Sequence, residues 1–103
     1  MRGEVFRLRA PRGSRGHEQS GTRYAVVIQS DGLPLSTLLV APTSTAARAA
    51  TFRLEVEIAG RVTRVLAEQA AAVDPSRLGE NVGRLAFDEM RRVDAALRIA
   101  MDL

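Results

Sequence analysis

The stretch FRLEVEIAGRVTRVLA, residues 52–67, decides the fold class of this chain of 103 residues. Apolar side chains occupy every second position from Phe52 to Ile58 and alternate with Arg and Glu, which is the pattern of a strand with one buried face. The dipeptide Ala59-Gly60 then offers a two-residue turn, and a second apolar run follows over residues 62–67. The stretch therefore predicts a β-hairpin.

Short apolar segments on either side of the hairpin predict further strands. Three of them, bounded by turn-forming residues, are Gly3–Leu8, Tyr24–Gln29 and Ser36–Pro42. Asp74 followed by Pro75 predicts one turn of helix, with Asp74 as its N-cap, before the segment 78–85. Five or six short strands followed by one helix predict a mainly β fold, a small and partly open β-barrel with a helix closing one side.

From Phe87 onward the apolar period is that of an amphipathic helix. Asp88 and Glu89 fall in its first turn, where they favour the positive end of the helix dipole. Its apolar face is predicted to comprise Met90, Val93, Leu97 and Met101. The phenylalanines Phe6, Phe52 and Phe87 are expected in the core.

Composition bounds the function. The length fits one domain spanning 1–103, and no apolar run reaches the roughly 18 residues of a membrane helix, so we expect a soluble, cytoplasmic protein. Cysteine is absent, which excludes disulfides, thiolate metal sites and cysteine nucleophiles. A single histidine, His17, excludes a two-histidine acid-base mechanism and a histidine-rich metal site within one chain. We expect neither a metal nor a cofactor.

Positive charge is concentrated at the front of the chain. All fifteen basic residues are arginine, and residues 1–23 hold six of them with two glutamates, a net charge of +4. Within this segment, residues 9–22 (RAPRGSRGHEQSGT) are nearly devoid of apolar side chains and predict a long exposed loop. Long loops in small domains are often functional, and guanidinium groups suit a phosphate backbone or an acidic protein partner. This loop is the first candidate site.

Other common sites find no support in the sequence. No phosphate-binding loop, dinucleotide fingerprint or nucleophile elbow is present. The close acidic pair Glu55 and Glu57 shares the outer face of a predicted strand, where a solvated surface explains it better than two-carboxylate hydrolysis. The residues by themselves thus lead to an arginine-rich β-barrel with a long polar loop.

Five segments, in order, resemble the MazF/PemK family of toxins. They are RGEVF (2–6), GHEQSGTRYAVVIQSD (16–31), LLVAPTST (38–45), LAEQAAAVDPSRLGENVGRL (66–85) and the closing helix. The resemblance covers nearly the whole chain. It implies an SH3-like, PemK-type β-barrel and an mRNA interferase, an endoribonuclease that cleaves single-stranded RNA by attack of the 2′-hydroxyl on the adjacent phosphate, without metal.

The resemblance also implies the site. Arg23 aligns with the family's catalytic arginine, whose fork can bind two nonbridging phosphate oxygens. Thr43 aligns with the hydroxyl residue at the end of the third strand, with Ser44 beside it, although a hydroxyl there could equally cap the turn into residues 46–50. Glu18 is expected to accept the 2′ proton or to orient Arg23 through an ion pair. The expected RNA-binding residues are Arg12, Arg15, His17, Gln19, Tyr24, Ser44 and Gln69, and for contacts with bases Gln29 and Gln69 are the weaker candidates.

Two departures from the family pattern stand out. Tyr24 replaces the proline that usually follows the arginine, and Ala70, Ala71 and Ala72 replace basic or polar residues. Cleavage specificity and partner contacts therefore do not carry over from the family. The partners that the resemblance implies are a single-stranded RNA substrate, a second copy of the chain in a homodimer, and a MazE-like antitoxin with an acidic C-terminal segment.

Two alternatives remain open. A CcdB-like toxin has the same fold and binds DNA gyrase without doing chemistry, but such toxins use a tryptophan in the closing helix, and this chain has no tryptophan. A noncatalytic barrel that binds RNA or protein is the second.

Overall fold

A computed structural model describes residues 1–9 and 23–103. This part of the chain forms one α-helix, α1 (Phe87–Met101), and the strands β1 (Glu4–Leu8), β2 (Tyr24–Val27), β3 (Leu38–Ser44), β4 (Arg53–Ile58), β5 (Arg61–Leu66), β6 (Ala71–Val73) and β7 (Leu78–Arg84). Two short 3-10 turns, Ala67–Gln69 and Pro75–Arg77, flank β6. Residues 10–22, which belong to the predicted loop, lie outside the described residues.

The strands form one curled antiparallel sheet, a half-barrel, in the order β4-β5-β3-β2-β1-β7. β3 is central: β2 pairs with it on one side, while β6 and then β5 pair with its two halves on the other. The predicted mainly β fold with a closing helix is confirmed. The predicted count of five or six strands missed β6, which pairs through Leu39 and Ala72 within the alanine run.

The hairpin of β4 and β5 forms as predicted. Ile58 pairs with Arg61, so Ala59 and Gly60 are the two turn residues, and both have positive φ, 52° and 80°. Such a turn matches the right-handed twist of the flanking strands.

β2 is buried along its whole length because the curled sheet covers both of its faces. One face joins the larger core, which includes Tyr24, Val26 and the helix residue Val93. The other face, through Ala25 and Val27, joins a smaller core with residues of β1, β3, β6 and β7. The beginning of β2 is therefore held firmly between its neighbours.

Helix α1 begins at Phe87, and the Ala86 amide donates to the Glu89 carboxylate at 2.8 Å, which satisfies one open amide of the first turn. Met90, Val93 and Ala96 are buried as the amphipathic pattern requires. Two predictions are wrong: Phe87 is 79% exposed and Met101 is 51% exposed. Burial starts one turn inside the helix and stops before its last turn, so side chains at the two ends extend beyond the core.

Phe6 and Phe52 are partly buried. Within the described residues, no helix combines the length and the apolar character needed to span a membrane.

Candidate active site

The peptide group between Arg23 and Tyr24 is held from both sides. Its carbonyl oxygen, on Arg23, accepts a hydrogen bond from the Leu8 amide of β1 at 2.9 Å. Its amide, on Tyr24, donates to the Thr43 Oγ1 atom of β3 at 3.2 Å. Arg23 is half-buried, and its side chain extends from a main-chain position that is fixed at the beginning of β2. The structure thus brings the predicted pair Arg23 and Thr43 together.

Thr43 lies deeper than a residue that merely ends a strand. It is 1% exposed, and it pairs with Val65 of β5 on the side away from β2. Its oxygen accepts the Tyr24 amide, and a hydroxyl that accepts one hydrogen bond can still donate another.

Ser44, not Thr43, caps the following turn. The Ala46 amide donates to the Ser44 Oγ atom at 3.2 Å, a side-chain turn of the kind that serine favours. The turn-capping alternative for Thr43 is therefore wrong, because the next residue performs that role. Ser44 is half-buried, and its contact with RNA stays a prediction.

Several predicted RNA-binding residues have other surroundings than expected. Tyr24 is 6% exposed in the larger core, so in this conformation its ring is not available to stack on a base. Gln29 is buried, and its amide accepts from the Leu39 amide at 3.0 Å and donates to the Leu33 carbonyl at 2.8 Å, which explains it structurally. Gln69 is exposed in the 3-10 turn after β5, on the side of β3 opposite β2.

The remaining predicted residues fall outside the described part of the chain. Glu18, expected to orient Arg23 or accept a proton, is one of them. The others are Arg12, Arg15, His17 and Gln19.

Two arginines lie at the same end of β1: Arg9, the first residue of the predicted loop, and Arg77, which the sequence did not single out. The Arg9 amide donates to the Arg77 carbonyl at 2.8 Å, one residue beyond the contact between Leu8 and Arg23. Arg77 ends the 3-10 turn that Asp74 caps as predicted, since the Asp74 carboxylate accepts the Ser76 amide at 2.8 Å. That backbone hydrogen bond lowers the pKa of Asp74. The sequence signal for Arg77 is the dipeptide Asp74-Pro75, because it predicts the turn that ends at this arginine.

Other acidic side chains around the sheet are held by arginines. Burial tends to raise the pKa of Glu68, but the hydrogen bonds that it accepts from Arg53 and from its own backbone amide outweigh this, and the pKa is lowered. Glu55 pairs with Arg64 at 3.1 Å on the outer face of the hairpin, in accord with a structural role. Within residues 1–9 and 23–103, there is no group of three side chains placed so that they could hold a metal ion.

Fold and site together define a small half-barrel protein whose central strands present an arginine next to a buried hydroxyl. The sequence profile of the family described as "PemK-like, MazF-like toxin of type II toxin-antitoxin system" matches residues 1–101. A protein of Mycobacterium tuberculosis named as a candidate toxin is 42% identical over 98 residues, covering 94% of this chain and 92% of that protein. The chain belongs to the PemK-like, MazF-like toxin family.

Solved structures show the same fold. An endoribonuclease in complex with its cognate antitoxin, from a mycobacterial species, matches with a TM-score of 0.81 at 17% identity, over 100% of this chain and 95% of that one. The toxin MazF-mt6 of Mycobacterium tuberculosis gives 0.78 at 16% identity, with 97% of each chain covered. MazF of Deinococcus radiodurans gives 0.75 at 24% identity, over 98% of this chain and 94% of that one.

Proposed function

We propose that this chain is the toxin of a toxin-antitoxin pair and acts in the cytoplasm as an endoribonuclease on single-stranded RNA. The reaction is attack of a 2′-hydroxyl on the adjacent phosphate, which gives a cyclic phosphate and a 5′-hydroxyl without a metal ion. Membership of the toxin family supports this function. The observation that carries the site is the doubly held peptide between Arg23 and Tyr24, next to Thr43.

Arg23 is the residue proposed to stabilise the transition state. Negative charge grows on the nonbridging oxygens as the 2′ oxygen attacks, and a guanidinium fork can donate to two of them at once. A donor that is already in place pays no reorganisation cost during the reaction, and one such donor typically contributes about 3 to 4 kcal/mol. The fixed main chain at Arg23 supplies part of that preorganisation.

Thr43 is proposed to act first as a positioning residue. Its oxygen holds the Tyr24 amide and therefore the main chain from which the Arg23 side chain departs. Its hydrogen stays available to a phosphate oxygen, but at 1% exposure a ligand reaches it only if the local packing opens. The geometry favours the positioning role over direct contact.

Acceptance of the 2′ proton is assigned to the loop, and the departing 5′ oxygen takes its proton from solvent water. Glu18 is proposed to orient Arg23 or to accept the 2′ proton, and Gln19 to hold the substrate. Both are predictions from the family pattern.

A homodimer and an antitoxin complete the proposal. The mycobacterial relative in complex with its cognate antitoxin supports an antitoxin partner for this chain. An acidic antitoxin segment would compete with RNA for the arginines at the beginning of the chain, since both present negative charge to the same donors.

The test is cleavage of single-stranded RNA by the purified protein in EDTA, with mapping of the 5′-hydroxyl ends. We expect cyclic phosphate products from the wild type, loss of at least two orders of magnitude in rate for Arg23→Gln, and an unchanged rate for the exposed helix variant Arg98→Gln. RNA left intact by a folded wild-type protein contradicts the proposal. Gyrase inhibition with intact RNA would instead support the CcdB-like alternative.

A further inference from the structure

Arg9 and Arg77 fix each other's main chain at the end of β1. Arg77 donates from Nε and Nη2 to the Arg9 carbonyl, at 3.0 and 2.8 Å. Arg9 donates from Nη1 to the carbonyl of Ser76, at 2.9 Å. With the backbone hydrogen bond between the two residues, four hydrogen bonds join these segments. Both guanidinium groups are therefore held in place before any ligand binds.

Most of the donor capacity of this pair is unused by these contacts. A guanidinium carries five N–H donors, of which Arg9 uses one here and Arg77 two. The carboxylates nearby have other partners: Glu80 pairs with Arg7 at 3.3 Å, and Asp74 accepts the Ser76 amide. Within the described residues, neither Arg9 nor Arg77 forms a salt bridge, unlike Arg53 and Arg64 on the hairpin.

The pair lies beside the proposed catalytic arginine. Leu8 binds the Arg23 carbonyl, and Arg9, the next residue, binds Arg77 on the opposite side of β1. Neighbouring segments of a sheet lie about 4.8 Å apart, so the main chain at Arg23 and the main chain at Arg77 are about 10 Å apart across the three segments. This span is short enough for neighbouring nucleotides of one strand.

We propose that Arg9 and Arg77 form a phosphate-binding clamp for the RNA backbone next to the scissile phosphodiester. The inference rests on the proposed function, which it extends from the reacting phosphate to a flanking one. Preorganised, permanently charged forks bind phosphate with little loss of side-chain freedom, and a backbone contact of this kind carries no base specificity. Continuity with Arg23 favours RNA over an acidic peptide as the ligand.

The experiment measures binding rather than cleavage. A short 2′-O-methyl RNA of mixed sequence serves as the probe, since its blocked 2′ oxygen cannot attack, and Kd is measured over a range of salt concentrations. The variants are Arg9→Gln, Arg77→Gln and Arg77→Lys in the full chain. Arg98→Gln, on the exposed last turn of α1, is the control that loses the same charge elsewhere.

We expect Arg9→Gln and Arg77→Gln each to weaken binding roughly tenfold and to lower the slope of log Kd against log salt by about one, the signature of one lost phosphate contact. Arg77→Lys keeps the charge but loses the fork, so it should fall between Arg77→Gln and wild type. Arg98→Gln should bind like wild type. Thermal unfolding of each variant verifies that it is folded.

The outcomes separate this inference from the function on which it rests. A wild type that cleaves RNA and binds the probe, with Arg9→Gln and Arg77→Gln indistinguishable from Arg98→Gln, overturns the clamp alone. Binding of polyglutamate, an acidic peptide, is measured in parallel. If Arg9→Gln and Arg77→Gln lose binding to polyglutamate but bind RNA like wild type, the clamp is also overturned and the pair is assigned to an acidic protein partner. A wild type that neither binds the probe nor cleaves RNA overturns the proposed function itself.

Discussion

Replacing Thr43 by valine should destabilise the protein and isolate the hydrogen bond that holds the beginning of β2. Valine matches the shape of threonine but lacks the oxygen that accepts the Tyr24 amide, so a buried N–H group loses its partner. An orphaned buried donor costs about 1 to 3 kcal/mol. In a domain of this size, that corresponds to a fall in Tm on the order of 10 °C.

Thr63 provides a matched control on the neighbouring strand β5. It is 3% exposed, close to the 1% of Thr43, yet among the described residues its Oγ1 atom has no hydrogen-bond partner. Removing an unsatisfied buried hydroxyl recovers its desolvation penalty, so Thr63→Val should raise the free energy of unfolding by about 1 kcal/mol. The same substitution is therefore expected to have opposite signs at two buried threonines.

Urea denaturation measures both variants. Far-UV circular dichroism follows the sheet, and fluorescence of Tyr24, the single tyrosine in a chain without tryptophan, follows the site itself. Thr43→Ser should keep the hydrogen bond and lose only about 0.8 kcal/mol for the missing methyl group. Equal changes of the same sign in the free energy of unfolding for Thr43→Val and Thr63→Val would refute the reasoning. The free energy of moving a hydroxyl from water into the core, and not the hydrogen bond, would then dominate both variants.

Three further changes test other parts of the fold. Gln29→Leu removes the acceptor for the Leu39 amide and should lower the free energy of unfolding by about 2 kcal/mol in urea; no change would mean that the amide hydrogen bonds contribute nothing. The Ser76 amide holds the pKa of Asp74 below the usual value of an aspartate, so the stabilisation is present at neutral pH and is lost as the pH falls through the folded-state pKa. Asp74→Ala should therefore flatten the acid limb of Tm against pH, and an identical limb would contradict the cap. Ala59 has a φ of 52°, in the left-handed region that asparagine adopts more readily than alanine. Ala59→Asn should therefore stabilise the hairpin by about 1 kcal/mol in thermal melts, whereas destabilisation would exclude strain at that turn.

Local patterns predicted the elements whose information lies in their own residues. The hairpin of β4 and β5 and the N-cap at Asp74 depend on alternation, a turn dipeptide and a capping side chain, all readable over a few positions. β6 escaped prediction because its alanines carry no pattern, and it exists through backbone hydrogen bonds to β3, more than thirty residues earlier. Phe87 was wrongly expected in the core because periodicity gives a face but not where along the helix that face begins to be covered.

The candidate site could likewise be predicted only in part from the sequence. Family order aligned Arg23 and Thr43, but only the structure gives the hydrogen bond through Tyr24 that joins their strands. The burial of Tyr24 depends on both faces of β2 being covered, which a strand of four residues does not reveal. Arg9 and Arg77 are far apart in sequence and meet because β7 returns beside β1.

Tyr24 and Thr43 are physically coupled in this chain. The proline typical of the family after the catalytic arginine has no amide hydrogen, so a strand threonine there would have nothing to accept from that position. Tyrosine introduces an N–H group inside the core, and such a group needs a partner. Thr43 supplies the acceptor oxygen. The departure at position 24 is therefore matched by Thr43, whose hydroxyl oxygen fixes the main chain at Arg23. Thr43→Ser preserves this hydrogen bond and Thr43→Val removes it, so RNA cleavage should persist in the serine variant and fall in the valine variant. Cleavage by Thr43→Val at the wild-type rate, in protein that remains folded, would show that cleavage does not depend on this hydrogen bond.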